Sequence, residues 1–295
     1  MSYTKAITEP ALARLLPKPL RQYRRPLADQ QGDADAYGVP GQGGLPWLSA
    51  LTVALLLAAW WTAAHYQWVS PLFLPGPEKV LSTFADLWTQ TLTGGTLADH
   101  IAASLGRVGA AFLLAAATAV PLGLSMGVSR LARAVLDPVI EFYRPLPPLA
   151  YLPLTVIWFG IGETEKLVLL YLAIFAPLAI AARAGVRSVT VEQVHAAYSM
   201  GASRRQIFLY VVLPAALPDI LTGLRIGLGF GWSTLVAAEM VAAQQGLGQM
   251  VLNASGFLRT DIMVVGIVVI GAIAFSFDLL MRRLERRFVP WKGRA

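Results

Sequence analysis

Apolar residues in this chain gather into long runs. A helix needs about 20 such residues to cross a hydrocarbon core about 30 Å thick. Runs of that kind fall at 47–65, 106–127, 136–158, 167–186, 216–240 and 262–281. The connections between them differ in character. Residues 66–105 open with Ser70-Pro-Leu-Phe-Leu-Pro-Gly-Pro-Glu78 and continue in an amphipathic pattern suited to a helix lying along a membrane face. Residues 187–215 form the one long polar connection on the opposite side. The pattern predicts an all-α, polytopic membrane protein of six transmembrane helices with both termini on one side.

The third and fifth runs carry extra information. Pro138, Pro145, Pro147, Pro148 and Pro153 all fall in or beside the third. Each lacks a backbone N–H, so a helix there must break, and broken backbone survives at membrane depth only inside protein or beside a wet cavity. In the fifth, Gly223, Gly227 and Gly231 recur every four residues. They make a smooth stripe for close helix packing, within the chain or at a seam between two copies.

Composition supports the membrane reading. Of 295 residues, 56% are hydrophobic and 14% charged, against about 25% charged in soluble domains, and the mean hydropathy is +0.58. The absence of cysteine excludes a disulfide framework, a thiolate metal cluster and a cysteine nucleophile. His65, His100 and His195 are scattered, which gives a metal site no basis. No His-Glu-x-x-His helix is present, and Gly123-Leu-Ser-Met-Gly127 matches Gly-x-Ser-x-Gly only inside the second apolar run and not on a strand-to-helix turn, so no catalytic residue is expected.

The net charge of +7 gains meaning from where the cations sit. Eighteen of the 24 Lys and Arg lie in the N-terminal tail, beside Arg130 and Arg133, around the 183–215 loop, and after the sixth run. Three, Lys79, Lys166 and Arg259, lie on the other side, and Arg107, Arg144 and Arg225 fall in or near the runs. The positive-inside rule then orients the chain N-in and C-in. The expected organisation is a basic, proline-rich cytoplasmic tail over 1–46, a transmembrane domain over 47–282 and a basic cytoplasmic C-terminus over 283–295. The first apolar run begins too deep for a secretory signal. The cations on one side set topology and meet membrane lipid, with no nucleic acid implied.

Charged side chains at membrane depth cost about 2.5–3.5 kcal/mol on insertion scales, so each needs a partner or a function. Glu141, Arg144, Arg225 and Glu239 are the candidates for lining a translocation path. Glu141 and Arg144, three apart on a helix, could equally pair with each other.

The long polar loop reads as a helix-turn-helix. Val191 to Met200 can form a short helix that Gly201 stops in a left-handed cap. Ser203 and Gln206 then make a Ser-x-x-Gln capping box for a second helix ending at Pro214. Small residues at the bend, Ala196, Ala197, Gly201 and Ala202, would let another protein's backbone come close.

His195-Ala-Ala-x3-Gly201-x9-Val211-x-Leu213-Pro214 resembles the Glu-Ala-Ala loop of inner-membrane permeases of binding-protein-dependent ATP-binding-cassette importers, with His195 in place of Glu and Val211 in place of Ile. Ile157-Trp-Phe-Gly-Ile-Gly-Glu163 and Leu213-Pro-Ala-Ala-Leu-Pro218 resemble the sulfonate, nitrate and taurine branch of that family, and Ser70-Pro-Leu-Phe-Leu-Pro75, Gly231-Trp-Ser-Thr-Leu-Val-Ala-Ala-Glu239 and Val289-Pro-Trp-Lys292 resemble taurine importers most of all. The resemblance implies a MetI-like fold and a bacterial inner-membrane location. It also implies a coupling loop over 189–213 in which His195, Ala196, Ala197, Gly201, Ala202, Ser203, Leu213 and Pro214 meet a cytoplasmic ATPase. The implied partners are a second permease copy, two ATPase subunits and a periplasmic substrate-binding protein. Taurine is the implied substrate, with another aliphatic sulfonate, nitrate or a pyrimidine precursor as alternatives. The chain has no Gly-x4-Gly-Lys-Ser/Thr phosphate loop, so ATP and magnesium would act on the partner and no cofactor is expected here. A secondary transporter is the competing reading, but no internal repeat is present.

Overall fold

The computed structural model describes residues 46–91 and 94–290. The tail expected over 1–46 therefore lies outside the described residues except for Pro46, as do Lys292 and Arg294. The chain divides into two compact units, one ending at Ala59 and the other beginning at Trp60. Helix α1, Pro46–His65, spans that division. At its end the Trp60 indole N–H donates to the Pro75 carbonyl at 3.1 Å, and the Trp61 indole N–H to Glu78 Oε1 at 3.1 Å.

The amphipathic stretch after the proline-punctuated linker becomes α2, Pro77–Thr89, which buries Val80, Thr83 and Leu87. That buried face packs on the last helix, α11, Thr260–Phe288. The Thr83 hydroxyl donates to Asp261 Oδ2 at 3.0 Å across the contact. Helix α11 also continues past residue 282, the expected end of the membrane domain.

Helices α3, Leu97–Val128, and α6, Glu163–Arg187, form one of the two most extensive contacts, and α6 with α9, Leu213–Ala242, forms the other. Partners along the first seam advance together. Thr118 Oγ1 lies 3.1 Å from Tyr171 Oη, Gly123 lies against Ala179 and Ala182, and Gly127 against Val186. So α3 and α6 run parallel. The second seam runs the other way, with Gly185 against Ala216, Gly223 against Ala181, and Gly227 and Gly231 against Ile174. The Gly223–Gly231 stripe thus packs against α6 within the chain.

The parallel course of α3 and α6 puts a demand on what joins them, because the chain must return from the Val128 end to the Glu163 end. Here the third run shows the break that its prolines imply. Residues 136–158 are not one helix. The segment comprises α4, Arg130–Tyr143, a 3-10 turn, Pro148–Ala150, and α5, Leu152–Phe159. The break follows the prolines. Pro145, Pro147 and Pro148 withdraw three of four successive donors, and Gly160 turns the chain with φ +75. Among the described residues, five helices are therefore long and apolar enough to cross a membrane: Trp47–His65, Leu97–Val128, Glu163–Arg187, Arg204–Val241 and Thr260–Phe288.

The central apolar cluster gathers Val108, Ala111 and Ala115 of α3, Leu170 and Ile174 of α6, and Leu228, Trp232 and Leu235 of α9. Met250 and Ala254 of α10, Leu247–Gly256, join it. Alanines on α3 let larger side chains interdigitate with a close backbone.

Gly185 tests these seams. A methyl group there would lie 2.8 Å from the Ala216 carbonyl oxygen and 2.9 Å from its Cα, whereas one at Gly229 meets nothing within 4 Å. Gly185→Val should therefore destabilise the detergent-solubilised chain by about 1–3 kcal/mol through overpacking, while Gly229→Ala should not. Thermal unfolding in detergent measures both, and equal effects would contradict the packing described.

Candidate functional site

Three regions hold the residues singled out from the sequence. At the Arg187 end, α6 leads into α7, Val191–Ser199. Thr190 caps it reciprocally with Gln193, whose backbone N–H donates to Thr190 Oγ1 at 3.4 Å while Gln193 Oε1 accepts from the Thr190 N–H at 3.2 Å. Glu192 in this first turn is held below the ordinary carboxylate range, first by its own backbone N–H and next by Thr190. Gly201 ends the helix at φ +83, and Ala202 N–H donates to the Ala197 carbonyl at 3.1 Å, a hydrogen bond that closes a helix C-terminus. Ser203 then caps α8, Arg204–Ile207, with Gln206 Oε1 accepting from the Ser203 N–H at 2.8 Å.

The second helix does not stop at Pro214 as expected. Residues Phe208–Val212 form a π turn that passes into α9 without interruption. Pro214 removes one backbone donor and its ring crowds the carbonyl four residues back, and a widened turn accommodates both. The elbow is thus joined rigidly to a membrane helix. Its own core is Ala197, Ile207 and Val212. Around a groove of about 300 Å³, Met200 is 82% and Tyr210 75% exposed, with Gly201, Ala202 and Gln206 between them. His195 and Ala196 are exposed beside it, and Leu213 and Pro214 are half-buried at the start of α9.

At the other end of the bundle Glu239, expected as a candidate for the path, is fully buried. Its Oε1 accepts from Ser104 at 2.8 Å and Arg107 at 2.7 Å, and its Oε2 accepts from the Gly248 N–H at 2.9 Å. Arg107 also donates to the Gln245 carbonyl at 2.6 Å and to Glu163 at 2.6 and 2.8 Å. Ser104 accepts from the Leu247 N–H at 2.9 Å, and His100 Nδ1 from the Gly246 N–H at 3.0 Å. Gly246 is required here. Its φ is +140, and a Cβ would come within 2.6 Å of Glu239 Oε2. The cluster ties α3, α6, α9 and the start of α10 together, and it leaves Glu239 no face toward a permeant molecule. Sequence spacing could not find it, since Ser104 and Glu239 are 135 residues apart.

The remaining charges divide between paired and available. Arg225 donates to Asp278 at 2.5 Å, and Arg282 donates to the same carboxylate at 2.7 Å. Arg183 binds Asp137, and its second amine reaches Glu141 at 3.2 Å. Glu141 in turn meets Arg144 at 3.4 Å, the pairing that their spacing allowed. Arg144, at the end of α4, is open, its side chain 52% exposed. It lines a cavity of about 510 Å³ between the broken segment, α6 and α9, whose other walls include Tyr143, Tyr151, Ala176, Ile226 and Phe230. Asp137, Arg183 and Asp278 complete networks that the sequence reading did not assemble.

Exposure separates the ion pairs energetically. Removing one partner of a buried pair costs about 3–5 kcal/mol because it strands the other charge, whereas an exposed pair contributes about 0–1 kcal/mol. Arg107 and Glu239 side chains are 10% and 0% exposed, and Glu163 is 66% exposed. Glu239→Ala should therefore lower the melting temperature in detergent far more than Glu163→Ala, and a reversed order would contradict the buried role.

Comparison with known proteins adds to the geometry. Residues 119–290 match the family described as "Binding-protein-dependent transport system inner membrane component". The chain is 56% identical over 247 residues to the "Taurine transport system permease protein TauC" of Escherichia coli (strain K12), covering 83% of this chain and 90% of that one. It is 36% identical over 246 residues to the "Putative aliphatic sulfonates transport permease protein SsuC" of the same organism, covering 83% and 91%. Among solved structures, an inward-facing conformation of the MetNI methionine ABC transporter matches with TM-score 0.57 at 22% identity, covering 65% of this chain and 95% of that one. With five apolar helices of spanning length and the broken segment between α3 and α6, the chain belongs to the family of inner-membrane components of binding-protein-dependent transport systems.

Proposed function

We propose that this chain is the membrane-spanning permease of an ATP-driven importer for taurine, acting as one of two copies with two cytoplasmic ATPases and a periplasmic binding protein. The observation that carries this reading is the elbow at residues 190–213, folded, doubly capped and exposing an apolar groove at one end of the bundle. The family supports the importer, and the 56% identity to a taurine permease supports the substrate. Related sulfonate permeases keep another aliphatic sulfonate as the second reading.

In this reading the chain crosses the membrane six times, N-in and C-in, and the broken segment makes the third crossing as the parallel course of α3 and α6 requires. His195, Ala196, Ala197, Gly201, Ala202, Ser203, Leu213 and Pro214 form or support the ATPase contact. ATP-driven closure of the two ATPases displaces the elbow, and the π turn passes the displacement to α9 as rigid-body motion. Helix α9 packs along α6, so both move against the broken segment and open the route to one side at a time. Glu141 and Arg144 lie along that route. Arg225 stands nearer the α9–α11 contact, and Glu239 anchors the far end.

Two experiments test the reading. Gly201→Trp places a bulky side chain at φ +83, beside the groove, and should abolish co-purification with the cognate ATPase while the permease still inserts. Retained association would overturn the docking role. Deletion of the chain should remove labelled taurine uptake in a strain without a second system, and competition by aliphatic sulfonates, nitrate and pyrimidine precursors would rank the alternatives. Unchanged taurine uptake would overturn the substrate assignment.

A further inference from the structure

The geometry points to the cavity between the broken segment, α6 and α9 as a binding site for the anionic group of a small organic sulfonate, with Arg144 as the group that meets it. The inference rests on the importer reading and goes further by naming a site and the residues that form it.

Arg144 ends α4 where the backbone breaks. Its guanidinium has five donors and, among the described residues, a single ion-pair partner, Glu141, at 3.4 Å. A planar fork with spare donors, open to a cavity, suits an oxyanion that accepts two parallel hydrogen bonds. Tyr143, the neighbouring residue, lines the same cavity, and its hydroxyl is buried without a hydrogen-bond partner among the described residues. That hydroxyl is closed off from the cavity, so Tyr143 contributes wall and Arg144 is the group open to an anion.

The rest of the wall fits the rest of the ligand. Ala176, Ile226 and Phe230 offer apolar surface to a short methylene chain. The volume of about 510 Å³ admits a small organic anion with several waters. The prolines matter here too. Pro145, Pro147 and Pro148 carry no N–H, so the break opens a wall without adding competing backbone donors beside Arg144. The Glu141 carboxylate next to Arg144 keeps its charge partly balanced, which favours transient over tight anion binding, as a transport intermediate requires.

The absence of cysteine makes a direct test available. Ile226 lines the cavity and is 47% exposed. In the assembled transporter carrying Ile226→Cys, the anionic 2-sulfonatoethyl methanethiosulfonate should react about tenfold faster than its cationic 2-aminoethyl counterpart, owing to the nearby guanidinium. Taurine should slow that labelling. Adding Arg144→Gln should abolish both the anionic preference and the protection. Arg144→Lys should keep the preference but weaken protection, because an ammonium cannot form the two-pronged contact. Phe230→Cys repeats the measurement at a second wall position if Ile226→Cys fails to insert. Equal reagent rates, or no protection by taurine, with the ATPase still bound would overturn the site and leave the importer reading standing. Loss of ATPase association by the unsubstituted chain would overturn the importer reading alone, since the anionic preference belongs to this chain.

Discussion

Everything in the bundle depends on how close α6 can bring its backbone to α3 on one side and α9 on the other. In lipid, apolar surface gains little by moving from acyl chains to another helix, so association rests on van der Waals fit and hydrogen bonds across a short gap. The sequence meets that constraint with glycine and alanine. Gly123 and Gly127 of α3 receive Ala179, Ala182 and Val186, and Gly185 of α6 receives Ala216 of α9. Because the two seams run in opposite senses, α6 is held in a single register. A shift by one residue would move a side chain onto a backbone that has no room for one.

The polar groups are arranged around that frame. At one end Arg107 and Glu239 consume their hydrogen-bonding capacity on Ser104, Glu163, Gln245 and Gly248, clamping three long helices and a short one. At the other end Arg183 of α6 pairs with Asp137 and Glu141 of α4 and ties the two helices together. Between them the broken segment keeps Arg144 largely uncovered. Charges that would be costly at depth are spent where rigidity is needed, and one is held open where a cavity exists. A rigid clamp at one end and a π-linked elbow at the other suit a machine in which movement enters from a single side.

Much of this was legible in the sequence, and the reasons are physical. Gly201 and the Ser203/Gln206 box follow local rules that act within four residues, so the elbow could be read directly. The Thr190/Gln193 box obeys the same rule and could have been read too. The prolines of the third run correctly implied broken backbone. The Pro214 stop failed because a proline can be absorbed by a π turn when the helices on both sides are held by packing, as they are at Val212 and Ala216. The partners of Glu239 could not be read from the sequence because they lie on other helices, and nothing local distinguishes a charge facing a path from one sealed in a clamp.

The sequence by itself determined the solvent. Its apolar runs, its one-sided cations and its small-residue spacing dictate helices in a membrane, because hydrophobic length and charge placement act on each segment separately. It determined the elbow for the same local reason. Only the tertiary structure decided which glycines face which helix, which arginine is paired and which is open, and that the third run returns the chain as a broken path beside a cavity. Those outcomes depend on contacts between residues 40 to 150 positions apart, such as Arg183 with Glu141 and His100 with Gly246, and only close packing of the whole bundle selects among them.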